Sequence, residues 1–494
     1  MRLNSLGVSL MTRFERLGQL TDLEDAISSQ RDAVDLTPPG HRRKPIYLNN
    51  LGISLMIHFQ RLGQLTDVED AISRQRDAVD LTPHGHIQKP IYLNNLGNSF
   101  LTRFERLGQL TDLEDAISSQ RDAVNLTPHD HRDKSSRLNN LGISLMTRFQ
   151  RLGQLIDLED AISRQRDAVD LTPYDHPAKP GYLNNLGNSF LIRFERLGEP
   201  SNLEHAISIF SYAASSPLGP INLRFYASRT WISCARRTRH HSLLHAHSIA
   251  LSLLPQLAWI GLSLQDRYDA LFGAADVVGE AAAAALDAGF PGAAVEFLEQ
   301  GRSIVWGELF QLRSSYEELS STYPDHARRL CELSAKLDQT SGTHEKSLSV
   351  LLEHSRYRAH YITEYPRQAA DRHRGLAIER DNLLQEIRRL PGYDQFLRRK
   401  QFSRLRASAH SGPVVILNAA ETRCDALVVL ADLDHVIHIP LTNLTFKHST
   451  RLLDTMKNFV REARVGRIAH YLRTAGNPSY PPCGHTSSNR SWMP

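Results

Sequence analysis

Apolar side chains in the first half of the chain return at helical spacing and in a fixed order. Leu48, Leu51, Gly52, Leu55 and Phe59 stand at i, i+3, i+4, i+7 and i+11, the stripe that one helix turns toward a core. Gly63 interrupts the pattern, and Val68, Ala71, Ile72 and Val79 make a second stripe that stops short of Pro83. Proline cannot donate the next helical hydrogen bond, so Pro83 is expected to end this helix. Between the stripes, Thr66-Asp-Val-Glu69 reads as a capping box, in which a hydroxyl and a carboxylate satisfy free amides at a helix start. Two helices, A and B, joined near Gly63 predict a helical hairpin.

That hairpin is one of five. Leu-Asn-Asn-Leu-Gly recurs with its glycine at Gly7, Gly52, Gly97, Gly142 and Gly187, 45 residues apart each time, with Ser5 replacing the second asparagine in the first unit. Ala71, Ala78 and Pro83 recur as Ala26/Ala33/Pro38, Ala116/Ala123/Pro128 and Ala161/Ala168/Pro173, while the fifth unit keeps Ala206/Ala213 and moves its proline to Pro217. Small residues let backbones approach, and a larger side chain would overpack the seam by about 1–3 kcal/mol. Leu51-Gly52, Ala71, Ala78 and Pro83 together resemble the tetratricopeptide repeat (TPR). The resemblance implies an all-α solenoid of TPR-type hairpins whose A helices line a concave groove. The units depart from it in length, 45 residues against about 34, with the extra residues after helix A and between units. Loop closure costs grow slowly with length, so the insertion is tolerable. The wording L-N-N-L-G also resembles the longer TPRs of kinesin light chains, and near-identical long units resemble those of fungal TPR proteins. With no capping repeat ahead of it, the first unit is expected to leave an apolar face open. That implies either further repeats upstream or capping by Arg2 and Asn4.

After the five units over 1–220, residues 221–313 read as divergent hairpins, Ala294 and Gly301 echoing the seven-residue small pair. Residues 314–404, charged and broken at Pro324, Pro366 and Pro391, read as surface helices or a helical connector. At Gly412 the pattern changes to short β-branched runs, Pro413–Leu417, Cys424–Leu430 and His435–Leu441, with a turn at 432–434. A helical stripe of Leu452, Leu453, Met456, Phe459 and Val460 follows. Residues 405–464 resemble the start of the CHAT domain, a caspase-like domain found after TPR arrays, and so predict a short, incomplete α/β segment. In that family the catalytic histidine and cysteine come after the matched strands. The 54 residues following Pro440 contain neither a His-Gly nor a Ser-Ala-Cys strand end, so no catalytic residue is expected. Cys424 reads as a buried small hydrophobe, and His435 and His438, alternating with Val and Ile, as strand residues. The polar, proline-rich 465–494, which includes Cys483, reads as a disordered tail.

Composition narrows the function. Lys plus Arg total 58 and Asp plus Glu 54, and 58 − 54 = +4 is too small to make a phosphate-attracting field, so no nucleic-acid partner is expected. The basic runs Arg236, Arg237, Arg239 and Arg398, Arg399, Lys400, Arg404, Arg406 lack interleaved aromatics and read as solvated helix faces. The absence of a run of about 18 apolar residues and of a signal-peptide pattern argues against a membrane. Four scattered cysteines without a CxxC pair suit a reducing, cytoplasmic location.

Two columns of polar residues remain. Asn49/Asn50, Asn94/Asn95, Asn139/Asn140 and Asn184/Asn185 recur on helix A. A column of amides in a TPR groove could bind an extended peptide backbone, which needs both donors and acceptors; equally, one amide of each pair could bond between units as a structural ladder. His41, His86, His131 and His176 recur in the inter-unit loops. Units are about 10 Å apart or more, too far to share an ion held at about 2 Å, so these histidines are expected to cap turns. His241 and His245, at i, i+4, lack the glutamate of a metalloprotease motif. The sequence therefore predicts a protein-interaction scaffold with a protein or peptide partner and no cofactor or metal. The alternative is the regulatory, N-terminal part of a CHAT-type cysteine peptidase.

Overall fold

The computed structural model describes residues 2–258, 275–302, 304, 316–341, 367–394, 396–397 and 401–457. In the five units, α1 (Arg2–Leu17), α3 (Lys44–Leu62), α5 (Lys89–Leu107), α7 (Lys134–Leu152) and α9 (Lys179–Leu197) are the A helices. Their partners are α2 (Leu20–Asp35), α4 (Leu65–Asp80), α6 (Leu110–Asn125), α8 (Leu155–Asp170) and α10 (Pro200–Ala214). Each A helix packs on the B helix of its own unit and, from α3 onward, on that of the unit before it, a TPR-type stack of helical hairpins. Gly63 ends α3 in the left-handed region, φ 73°, donating its N–H to Phe59 O at 2.7 Å. Gly108, Gly153 and Gly198 repeat this turn, which any residue with a Cβ would strain.

The capping box is not used as predicted. Gln64 occupies the N-cap position of α4 without a side-chain cap bond, and Thr66 lies inside the first turn. In unit four the threonine is replaced by an exposed Ile156. The acid between the two box residues acts instead. Arg148 Nε and Nη2 grip Asp157 at 3.0 and 2.6 Å, a bidentate pair, and Asp157 is only 1% exposed. Arg13–Asp22 and Arg103–Asp112 repeat it, His58–Asp67 replaces it at 2.8 Å in unit two, and Arg193–Asn202 in unit five. The box glutamate works between units: Arg148 also reaches Glu114, and Arg193 reaches Glu159, both at 2.8 Å.

The end of helix B likewise depends on more than proline. α4 stops at Asp80, ahead of Pro83, and Thr82 Oγ1 donates back to Ala78 O at 2.6 Å. Lys89, at the start of the next unit, donates from Nζ to Val79 O and Thr82 O at 3.2 and 2.7 Å. Lys134 and Lys179 cap α6 and α8 in the same way. A cation set against the negative end of the helix dipole thus ties each unit to the next. Unit four also exchanges the buried tyrosine of units two and three (Tyr47, Tyr92) for Arg137, which donates to Thr127 Oγ1 and pairs with Asp133. Asp133 stands where the other units have Arg43, Gln88 and Ala178.

At the centre of every unit the glycine leaves room for a helix B side chain. A Cβ on Gly52 would lie 2.7 Å from Gln75 Cγ, and one on Gly97 3.0 Å from Ala116 O. In unit five, Phe210 takes the glutamine's place and its ring covers Gly187. Gln75 Oε1 accepts from Ser99 Oγ of the next unit at 2.7 Å, and Gln165 from Ser189 at 2.6 Å. At the intervening seams the equivalent atoms, Gln30 Oε1 with Ser54 Oγ and Gln120 Oε1 with Ser144 Oγ, are buried without a partner. Around this polar line the core runs unbroken through the first three units. Leu6, in the first unit, is 49% exposed, whereas its equivalent Leu51 is 1% exposed.

Beyond the fifth unit, α11 (Ile221–Thr238) and α12 (Leu243–Leu257) form another hairpin, and helices run over Ala275–Asp287 and Pro291–Arg302. A Cβ on Gly301 would meet Val278 at 2.3 Å, so this small residue marks a close helix contact. Pro324 begins a helix, Pro324–Ser341, and Pro391 follows another, Arg367–Ile387; Pro366 lies outside the described residues. These helices are not merely superficial, since Leu330, Leu333, Leu383, Leu384 and Ile387 share a core with Leu319.

The chain divides into two compact units, Met1–Ala281 with Phe297–Arg399, and Ala282–Glu296 with Lys400–Pro494. In the second, β1 (Val414–Ala419), β2 (Cys424–Val429) and β3 (Ile437–Pro440) form an antiparallel meander, with Val414 opposite Val429 and Asp425 opposite Pro440. Leu427 and Val429 are buried, while Val415, Leu417, Ile437 and Ile439 remain exposed on the other face. Phe402 N–H donates to Glu296 Oε1 at 2.8 Å, and Arg423 pairs with Asp287, which joins the two pieces of this unit. Residues 446–457 are helical; Phe459 and Val460 fall outside the described residues.

Two substitutions test this packing. Leu51→Ala should cost about 2–5 kcal/mol in urea unfolding, as buried large-to-small changes do; a loss below about 0.5 kcal/mol would place Leu51 at the surface. Arg148→Ala should cost about 3–5 kcal/mol because it strands the buried Asp157. Asp157→Asn, which copies the natural Asn202, should cost clearly less, and equal losses would contradict the charge argument.

Candidate functional site

With Leu48, Leu51, Leu55 and Phe59 committed to the core, a second stripe of α3 runs through Ile46, Asn50, Ile53 and Ile57, at i, i+4, i+7 and i+11; Ile46 and Ile53 are exposed, Asn50 is half-buried, and Ile57 is partly buried against the core. Consecutive A helices touch one another, so these stripes adjoin from unit to unit and form one shared face.

The asparagine pairs meet on that face. Asn95 Nδ2 donates to Asn49 Oδ1 at 3.0 Å, Asn140 to Asn94 at 3.1 Å and Asn185 to Asn139 at 2.9 Å; Asn50 extends the ladder to Asn4 at 3.3 Å. Asn4, Asn49, Asn94 and Asn139 accept, and Asn49, Asn139 and Asn184 are buried. The second, half-buried asparagine donates one N–H, while among the described residues no bond occupies the Oδ1 of Asn50, Asn95, Asn140 or Asn185. The ladder stops at unit five because Thr230 stands where the next asparagine would be. Asn184 Nδ2 turns to Leu223 O at 2.9 Å, and its Oδ1 is left buried without a donor. Asn98 and Asn188, which occupy the Ile53 position in units three and five, lie on the same face. They accept from Gln120 Nε2 and the Tyr226 hydroxyl, each at 3.0 Å. Their alternation with Ile53 and Ile143 is legible as a 90-residue super-period in the sequence.

The other polar candidates are dispersed. Each loop histidine accepts on Nδ1 from the backbone N–H two residues on: His41 from Arg43, His86 from Gln88, His131 from Asp133 and His176 from Ala178, at 3.1–3.2 Å. His241 precedes α12 and lies tilted against His240, whereas His245 makes an edge contact with Trp231. Among the described residues no group of three His, Cys, Asp or Glu could hold a metal ion. Arg236 pairs with Glu280, and Arg237 lies over Phe194; Arg398, Arg399 and Lys400 lie outside the described residues. Cys424 is buried, and burial pushes its thiol up, away from the nucleophilic thiolate. His438 Nε2 contacts Asp425 Oδ1 at 2.7 Å, and Arg423 holds the same carboxylate bidentately, below the usual range despite its burial. This is a filled ion-pair network. Cys483 lies outside the described residues. No described helix is long and apolar enough to cross a membrane.

No family model matches the chain, and no curated protein does. Among solved structures it is similar to nearly identical TPR-like repeats ascribed to a kinesin light chain of Podosopora anserina, at 14% identity over 42% of this chain and 94% of that one, TM-score 0.32. It is also similar to a thermophilic TPR protein of Thermus thermophilus, at 17% identity over 46% and 96%, TM-score 0.32. A third is BtubC of P. vanneervenii, at 13% identity over 47% and 89%, TM-score 0.35.

One buried group sets a pH dependence in the first compact unit. Among the described residues both ring nitrogens of His247, in α12, lack a partner, and burial, followed by Arg236, lowers its pKa from 6.5 to about 4. Between those values the unfolded chain binds the proton and the folded chain does not, so stability falls as pH drops from 6.5 to about 4. The loss should be roughly 3 kcal/mol at full effect. Thermal melts of His247→Leu should be flatter than wild type across that window; parallel curves would contradict the assignment.

Proposed function

We propose that the chain is a protein-interaction scaffold that holds a peptide or protein segment along the shared face of its A helices, using the outer asparagines as backbone clamps. The observation that carries this reading is the half-used amide. Each of Asn50, Asn95, Asn140 and Asn185 is fixed in orientation by one N–H to its neighbour and keeps a carbonyl oxygen and a second N–H directed away from that bond. A peptide unit offers the matching donor and acceptor, and an amide already held by the ladder loses little freedom on binding. The inner asparagines, Asn49, Asn94, Asn139 and Asn184, position the outer ones. Neither nucleic acid nor membrane is invoked, since the basic side chains of α11 are engaged with Glu280, Glu195 and Phe194. A cytoplasmic location suits a chain whose cysteines are free thiols in the described residues.

The alternative, a regulatory part of a CHAT-type cysteine peptidase, draws on the strands at β1 to β3. The buried Cys424 and the ion-paired His438 argue that those strands do no chemistry themselves, and we read the chain as a binder without enzymatic activity.

The test is selection of 12-residue peptides from a displayed random library on the full chain, followed by rebinding to the Asn50/Asn95/Asn140/Asn185→Ala variant. Affinity should fall at least tenfold, with helical circular dichroism near wild type. Equal affinity for a folded variant would reject the clamp.

A further inference from the structure

Building on the peptide-binding reading, we infer that the partner segment is an extended stretch without charged side chains, carrying aliphatic residues where it crosses the first units. Along the first three turns of the A helices, the surface stripe holds aliphatic, amide and hydroxyl side chains and no charged one. Val8 is 44%, Ile46 36% and Ile53 37% exposed.

Three of the charges bordering this stripe are already paired. Arg103 and Arg148 lie bidentate on the buried Asp112 and Asp157, and Glu195, one turn beyond the stripe, pairs with Arg237. A carboxylate or ammonium pressed onto the face would lose water without meeting a counter-charge, which is a selection against charged ligands. An aliphatic side chain covering Val8 or Ile53 gains by removing apolar area from water, and the ladder amides serve any sequence because they address the backbone.

The fold also sets a spacing. Packed helices lie about 8–10 Å apart and an extended chain advances about 3.3 Å per residue, so each unit faces roughly three residues of ligand. The isoleucines at the Ile53 position alternate with Asn98 and Asn188, so the demand for an apolar side chain weakens in every second unit.

The same random-library selection separates this inference from the reading it rests on. Selected peptides should contain fewer Asp, Glu, Lys and Arg residues than the input library, and their Kd should change less than twofold between 50 and 500 mM NaCl. Asn98→Asp should weaken them at least threefold, and Asp122→Asn, on helix B, should leave them unchanged. Enrichment of acidic or basic peptides with binding that weakens tenfold in salt would overturn the inference and leave the peptide site standing. Failure to enrich any peptide would overturn both.

Discussion

The missing Cβ at the centre of helix A is the constraint from which the rest of the array follows. At Gly52 a methyl group would lie 2.7 Å from Gln75, and at Gly97 3.0 Å from the Ala116 carbonyl. Because the space is empty, a glutamine of helix B lies flat across helix A, and from there it reaches Ser99 of the next unit. Alanines such as Ala71 and Ala78, wholly buried, keep the helices at that distance. A small residue thus converts a hairpin that could not bury its own apolar face into a unit that docks in one register.

Register is then fixed by polar groups that cross the seams. Lysine from one unit caps the helix B of the unit before it, as Lys89 does for α4, and arginine on helix A binds the glutamate of the preceding helix B, as Arg148 does Glu114. Each would lose its partner if a unit slid by one helical turn. The asparagine ladder on the shared face results from that register: Asn95 meets Asn49 because the seams beneath them hold α3 and α5 in step. The candidate binding surface therefore depends on seam contacts outside the ladder itself, and a ligand would find its amides already aligned.

The hairpins were legible because their signal is redundant. A stripe of apolar residues repeated five times, with Gly63 and its equivalents between the helices, leaves little choice of fold. The capping box misled because Thr66 and Glu69 have the right spacing, while the local backbone puts Gln64 at the cap; the acid at Asp67 is taken by His58 of the other helix, a tertiary contact that spacing cannot reveal. The lysine caps join residues ten positions apart across a loop, and only their recurrence at Lys44, Lys89, Lys134 and Lys179 could have suggested a role. For the asparagines the sequence left two readings open, and the structure adds the pairing, inner acceptor to outer donor, which follows from inter-unit geometry. The strands were legible from their β-branched runs, but the Arg423–Asp425–His438 network was not, since it depends on a cross-strand register.

The most direct test of a seam built on one buried glutamine is a double-mutant cycle between Gln75 and Ser99, using Gln75→Met and Ser99→Ala with urea unfolding of each variant. Both side chains are buried, and they belong to different units. If their hydrogen bond locks the seam, the two losses should be coupled by about 1 kcal/mol or more. Losses that add within about 0.3–0.5 kcal/mol would mean that apolar packing alone holds the units together.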